Sequence, residues 1–214
     1  MAHIAQQERS KRSLEQLLSA TEQLLAGDRL LEQLTVVEIT ARAGLSVGAF
    51  YSRFESKADL LPALQERYAQ SVIKHAPMYF DPARWEGRDL WARTQLFVRL
   101  ALRLYLRHRG LIRALAIDWR RWGEAPSPAT VTSRAAFHAQ LCSVFLPVRH
   151  EITHQDPERA LLCALLFLGA TCRDVLLFSP ATHPHPVRLS DVELAEELSR
   201  SFYAFLVVPV PPTK

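Results

Sequence analysis

The chain has 214 residues, 49% hydrophobic and 22% charged, with 26 Lys/Arg against 22 Asp/Glu and a net charge of +4. That balance suits a globular protein with a sizeable core and excludes an intrinsically disordered chain. Three scattered cysteines, Cys142, Cys163 and Cys172, fit buried, reduced thiols in a cytoplasmic protein better than a disulfide framework.

Only 7 glycines are present, the 13 prolines gather chiefly at 126–128, 180–186 and 209–212, and long stretches carry helical apolar spacing, so the chain reads as all-α. No apolar signal core opens it. Residues 1–7 read as an arm. Leu14, Leu17, Leu18, Thr21, Leu24 and Leu25 then mark one face of a helix that starts with Arg9, Lys11 and Arg12 and ends at Gly27.

The stretch 35–60, TVVEITARAGLSVGAFYSRFESKADL, is the most informative. Thr35 with Glu38 forms a capping box for a helix that turns Val36, Ile39, Thr40 and Ala43 inward. Gly44 permits a left-handed turn, Leu45 plugs the angle and Ser46 caps a second helix over 47–54. Phe50 and Phe54 give that helix its buried side, leaving Val47, Ala49, Ser52 and Arg53 outward. Residues 1–60 hold seven Lys/Arg against eight Asp/Glu, so contact with an anionic surface has to come from individually placed bases.

The spacing of Val36, Ile39, Ala43, Gly44, Leu45, Ser46, Gly48, Tyr51, Phe54, Ser56, Lys57 and Leu60 resembles the DNA-binding domain of the TetR family of transcriptional regulators. Thr40 departs from the family's usual alanine, and Val47 and Ala49 stand where polar residues are common. The resemblance implies an N-terminal three-helix helix-turn-helix domain followed by a C-terminal helical ligand-binding and dimerisation domain. It implies that Tyr51 and Lys57 meet phosphates, that Thr35 and Ser46 offer hydroxyls and amides to the DNA backbone, and that Gly48 sits on the same face. Base reading falls to Val47, Ala49, Arg53 and Ser52. The expected division is 1–57 for the reading head, 58–76 for a linking helix, 77–207 for the second domain and 208–214 for a tail.

Beyond the head, Leu60, Leu61, Leu64, Tyr68 and Val72 stripe the linking helix, and 77–87 reads as a loop. Helices follow over 89–107, 111–122, 128–146, 158–178 and 190–207, with Gly110 breaking the chain before the second of them. Arg99, Arg103 and Arg107 form a solvated row on the first. The apolar run 160–172 is short for a bilayer span, and no membrane partner is expected. The last two helices carry more apolar surface than one subunit needs, which suggests a homodimer. In the family these helices form a four-helix bundle across a two-fold axis, which would set two reading helices one turn apart on a palindromic operator.

Aromatic and polar residues of the second domain, Trp91, Tyr105, Trp119, Phe137, His138, Phe167 and Arg173, are candidate contacts for a small-molecule effector. The expected function is a ligand-responsive DNA-binding regulator, a repressor, with no catalytic residue, cofactor or metal. Two rivals stand beside it. His150-Glu151-x-x-His154 matches the zinc-hydrolase pattern H-E-x-x-H, with Asp174 as a conceivable third ligand, although Pro147 and Pro157 bracket it. The other rival is a helical binding protein without DNA affinity. His183 and His185 lie among prolines in an expected loop.

Overall fold

A computed structural model describes residues 2–27, 29–122, 128–177 and 189–209, the side chains of 2–6 and 118–122 excepted. His183, His185 and the end of the expected tail lie outside the described residues. Among the described residues there are ten α-helices and no strand: α1 (Ala2–Leu25), α2 (Val36–Ala43), α3 (Val47–Tyr51), α4 (Leu60–Tyr79), α5 (Pro82–Trp85), α6 (Leu90–Arg107), α7 (Arg109–Trp122), α8 (Pro128–Phe145), α9 (Pro157–Leu177) and α10 (Asp191–Val207). Short 3₁₀ turns cover Leu31–Gln33, Lys57–Asp59 and Leu146–Glu151.

The chain divides into two compact units, Met1–Tyr68 with His108–Ser127, and Ala69–Arg107 with Pro128–Lys214. In the first unit, Leu17, Leu18 and Leu25 of α1 pack with Ile39 of α2, Phe50 of α3, Leu60 and Leu64 of α4, and Leu111 and Leu115 of α7. The helix α1 begins at Ala2, so the expected arm is helical instead. Gly110 does not break the chain but lies in the first turn of α7, against the end of α1. A Cβ there would sit 1.7 Å from the carbonyl oxygen of Leu25. Buried Arg113, one turn on, donates to the carbonyls of Gly27 at 3.1 Å and Arg29 at 3.0 Å. The chain leaving α1 is therefore fixed by α7 rather than by a left-handed glycine cap, and Gly27 has no positive φ.

In the second unit, Phe97 of α6, Leu141 and Phe145 of α8, Leu161 of α9 and Phe202 of α10 form the centre of the core. The expected loop over 77–87 is largely helical. The helix α4 runs through Pro77 to Tyr79, and Asp81 caps the short α5 by accepting from the amide of Ala83. Burial overrides the breaker composition here: Ala76, Phe80 and Trp85 all enter the core, Phe80 stacks on Trp85 at 6.1 Å, and the indole N–H of Trp85 donates to Tyr79 O at 3.1 Å. The helix α9 is long and apolar enough to cross a membrane by length and composition, but Ala160, Leu161, Ala164, Leu168 and Cys172 face this core.

Because Gly110 meets backbone atoms, which have no rotamer to yield, Gly110→Ala is expected to cost at least ~1–3 kcal/mol. Calorimetry should show Tm lower by several degrees; an unchanged Tm would contradict the close approach of α7 to α1.

Candidate nucleic-acid interface

The site is built outward from two capped helices. The Thr35 hydroxyl accepts from the amide of Glu38 at 3.1 Å, and the Glu38 carboxylate accepts from the Thr35 amide at 2.8 Å and its hydroxyl at 2.9 Å. Those bonds, with the Arg29 guanidinium 3.0 Å away, pull the Glu38 carboxyl below the ordinary carboxylate range. Gly44 closes α2 at φ 67°, with the amide of Leu45 donating to Thr40 O at 2.9 Å. The side chain of Ser46 then accepts from the amide of Ala49 at 3.1 Å and starts α3.

The helix α3 has five residues, shorter than the expected 47–54, and continues as a turn in which the amides of Arg53 and Phe54 both donate to Phe50 O. Phe50 is fully buried and its ring lies 5.3 Å from that of Phe54. Tyr51 is on the other side, 56% exposed, touching Phe50 only edge-on. Tyr51 is therefore a surface residue and not a core tyrosine. Val47 is 38% exposed, Gly48 and Ser52 are exposed and Ala49 is half-buried. A Cβ on Gly48 would meet nothing nearer than the Ser46 hydroxyl at 3.8 Å, so the fold itself does not require glycine there.

Two of the expected DNA-facing cations are turned onto the protein. The Arg53 guanidinium, expected to face outward, donates to Ser10 O at 2.5 Å, to the Ser10 hydroxyl at 2.9 Å and to the Ser13 hydroxyl at 2.8 Å. Lys57 Nζ donates to the carbonyls of Glu32 at 2.8 Å and Leu34 at 2.5 Å. Arg42 donates to Gln23 at 2.8 Å. Arg9, Lys11 and Arg12 remain exposed on α1.

The expected effector contacts do not gather in one cavity. Phe137 packs in the second core, edge-on to Phe80 at 5.5 Å. Trp91 lies edge-on to Tyr203 at 5.3 Å, and His138 is half-buried. Tyr105 hydrogen-bonds to Arg173, and burial pushes its phenol up from the ordinary value, with Cys172 adding to the shift. Both groups lie close over Gly169. The side chain of Trp119 is outside the described residues. Phe167 is 53% exposed and lines an open groove of about 570 Å³ with His154, Leu198, Ala204, Phe205 and Val208, on α9, α10 and their flanks. Phe205 and Val192 on α10 are exposed. Two aromatics three apart on α10, Phe202 and Phe205, look alike in sequence; one enters the core and the other faces out.

The H-E-x-x-H rival has no helix to stand on. His150 and Glu151 end a 3₁₀ turn kinked at Val148, Ile152 is extended and His154 lies beyond it. Glu151 accepts from the amide of Leu90 at the start of α6, and His154 Nδ1 accepts from the amide of Asp156. Among the described residues no three His, Cys, Asp or Glu come together as a metal site.

Residues 17–64 match the model of the bacterial regulatory proteins, tetR family. The nucleoid occlusion factor SlmA of Vibrio cholerae is 28% identical over 102 residues, 48% of this chain and 50% of that protein, so the chain spans about half the length of the curated relative it matches. A Mesorhizobium loti protein assigned to the TetR family superposes with a TM-score of 0.67 at 21% identity, covering 94% of this chain and 98% of that one. A TetR-family regulator from Marinobacter aquaeolei does so with 0.60 at 18%, over 94% and 98%. The regulator FadR from Bacillus subtilis, solved in complex with stearoyl-CoA, gives 0.59 at 16%, over 92% and 99%. At these identities the structural matches establish the fold: a helix-turn-helix domain followed by a helical domain.

Gly48→Ala is expected to keep the fold and stabilise it by up to ~1 kcal/mol, the helix-propensity gain. The same variant is expected to weaken DNA binding by about tenfold, the effect of one spoiled close contact of ~1.4 kcal/mol. Calorimetry and fluorescence anisotropy check the two halves; unchanged DNA affinity would contradict close approach at this position.

Proposed function

We propose that the chain is a TetR-family DNA-binding transcriptional regulator, a homodimeric repressor released from a palindromic operator by a small-molecule effector; the family match of residues 17–64 and the shared fold support this reading. The observation that carries this reading is the two-sidedness of α3: Phe50 is locked inside while Val47, Gly48 and Tyr51 are presented outward. Tyr51 donates its hydroxyl to a phosphate. Thr35 and Ser46 add contacts to the DNA backbone at the helix ends, and Val47 and Ala49 face the base edges. Phosphate contacts fix register and the base edges supply specificity.

The dimer is proposed to form through α9 and α10. Leu166, Phe167, Phe205 and Val208 are large apolar side chains left exposed on or next to these two helices, and Ala170, Thr171, Ser201 and Ala204 beside them are small enough for a second copy to approach closely. A two-fold through this face would give two reading heads, matching a palindrome with half-sites one DNA turn apart.

The effector is proposed to bind within the second unit. FadR's complex with stearoyl-CoA supports the capacity of this fold to hold a small molecule. The half-buried phenol of Tyr105 with Arg173 on α9 would give it a polar anchor. Binding shifts the population toward a state with a different spacing of the reading heads, and it does so only to the extent that the effector prefers that state.

Selection of bound fragments from the source genome should recover a palindromic site. Affinity for it should fall as salt rises, with log K against log [salt] having a slope of about −0.9 for each phosphate neutralised. No preference over random duplex at low salt would sink the proposal. Phe205→Glu should yield a folded monomer by sedimentation velocity. Its operator affinity should fall on the order of 100-fold, because the second head no longer binds at high effective concentration.

A further inference from the structure

Arg53 is the single charged residue between Val47 and Phe54. One of its Nη groups is turned onto α1, where three acceptors, Ser10 O, Ser10 Oγ and Ser13 Oγ, lie within 2.9 Å of it. Ser13 is itself held, donating to the carbonyls of Arg9 at 3.0 Å and Ser10 at 3.1 Å. The other polar side chains of the segment are occupied too. Ser46 accepts from the amide of Ala49, and Ser52 donates to Ala49 O at 2.9 Å. Arg42 and Lys57, two other cations of this domain, are bonded to Gln23 and to two backbone carbonyls.

What α3 offers to the base edges is therefore apolar: the Val47 methyls, the Ala49 methyl and the open backbone at Gly48. Reading guanine or adenine in the major groove takes a bidentate donor or donor–acceptor side chain, which this face lacks. The 5-methyl of thymine is the apolar feature that the major groove presents. We propose that this reading helix recognises thymine methyl groups through Val47 and Ala49, and that Arg53 is a positioning residue that pins α3 to α1. The proposal rests on the reading of α3 as the DNA-reading helix and specifies what that helix reads.

The test uses the full-length protein and the selected operator. Each half-site thymine is replaced in turn by deoxyuridine, which lacks the methyl, and each guanine by 7-deazaguanine, which lacks the N7 acceptor. Thymines facing α3 should each lose about fourfold in affinity, the effect of burying one methyl-sized group. The 7-deazaguanine operators should bind as the parent does. Val47→Ala should abolish the thymine-over-uracil preference at one position. Arg53→Lys, and Ser10→Ala with Ser13→Ala, should weaken every duplex alike and leave that preference intact, as a positioning residue requires. Specific binding that is indifferent to uracil would overturn the inference while leaving α3 as the reading helix, and so would a tenfold cost of 7-deazaguanine that disappears in Arg53→Ala. Failure to prefer any site over random duplex would overturn the reading of α3 and this inference with it.

Discussion

The interface depends on how a five-residue helix is held. Forming a first helical turn costs more conformational entropy than its few hydrogen bonds return, so α3 has no stability of its own. Phe50, buried without exposed surface beside Leu17, Leu18 and Ile39, and Phe54 one turn later supply the missing stabilisation. The left-handed Gly44 and the Ser46 cap set the angle at which α3 leaves α2. Arg53 then ties the far end of the segment to α1. The outward placement of Val47, Gly48 and Tyr51 follows from these attachments rather than from any preference of their own.

Several cations of the first unit are bonded within it. Arg53 bonds to α1, Lys57 to the 3₁₀ turn before α2, Arg29 to Glu38, and Arg67 to Glu15 and Glu22. With seven bases against eight acids over residues 1–60, little general attraction for a polyanion is left. A surface of this kind discriminates more by shape and apolar fit than by charge, and its phosphate contacts must be few and well placed. Arg113 and Gly110 extend the same logic to α7, which belongs to the first unit and fixes the exit of α1. The second unit carries the converse feature, apolar side chains of α9 and α10 directed away from its core.

What was legible in the sequence was local. The Thr35–Glu38 box, the turn at Gly44, the Ser46 cap and the burial of Phe50 and Phe54 are set by residues within four positions of one another, and all are found. Most long helices also match to within one or two residues. The misses come from contacts between distant residues. Pro77 and its neighbours have the composition of a loop, and only the burial of Phe80 and Trp85 makes α4 and α5 helical there. Arg53 has the spacing of an outward residue on a helix, but its partners are about forty positions away on α1. Gly110 looks like a helix breaker until Leu25 is placed beside it. Glu151 looks like a metal-site base until the amide of Leu90 is seen to occupy it. In the candidate effector site, aromatic residues that pack a core and those that face a groove have the same sequence appearance, as Phe137 and Phe167 illustrate.

Hydroxyl-radical footprinting of the full-length protein on its selected operator tests the regulator reading most directly. Two α3 helices related by a two-fold should leave two protected backbone patches of equal depth, symmetric about the palindrome and one helical turn apart, and Tyr51→Phe should weaken both together. A single protected patch, or uniform protection without a centre of symmetry, would contradict the paired reading heads.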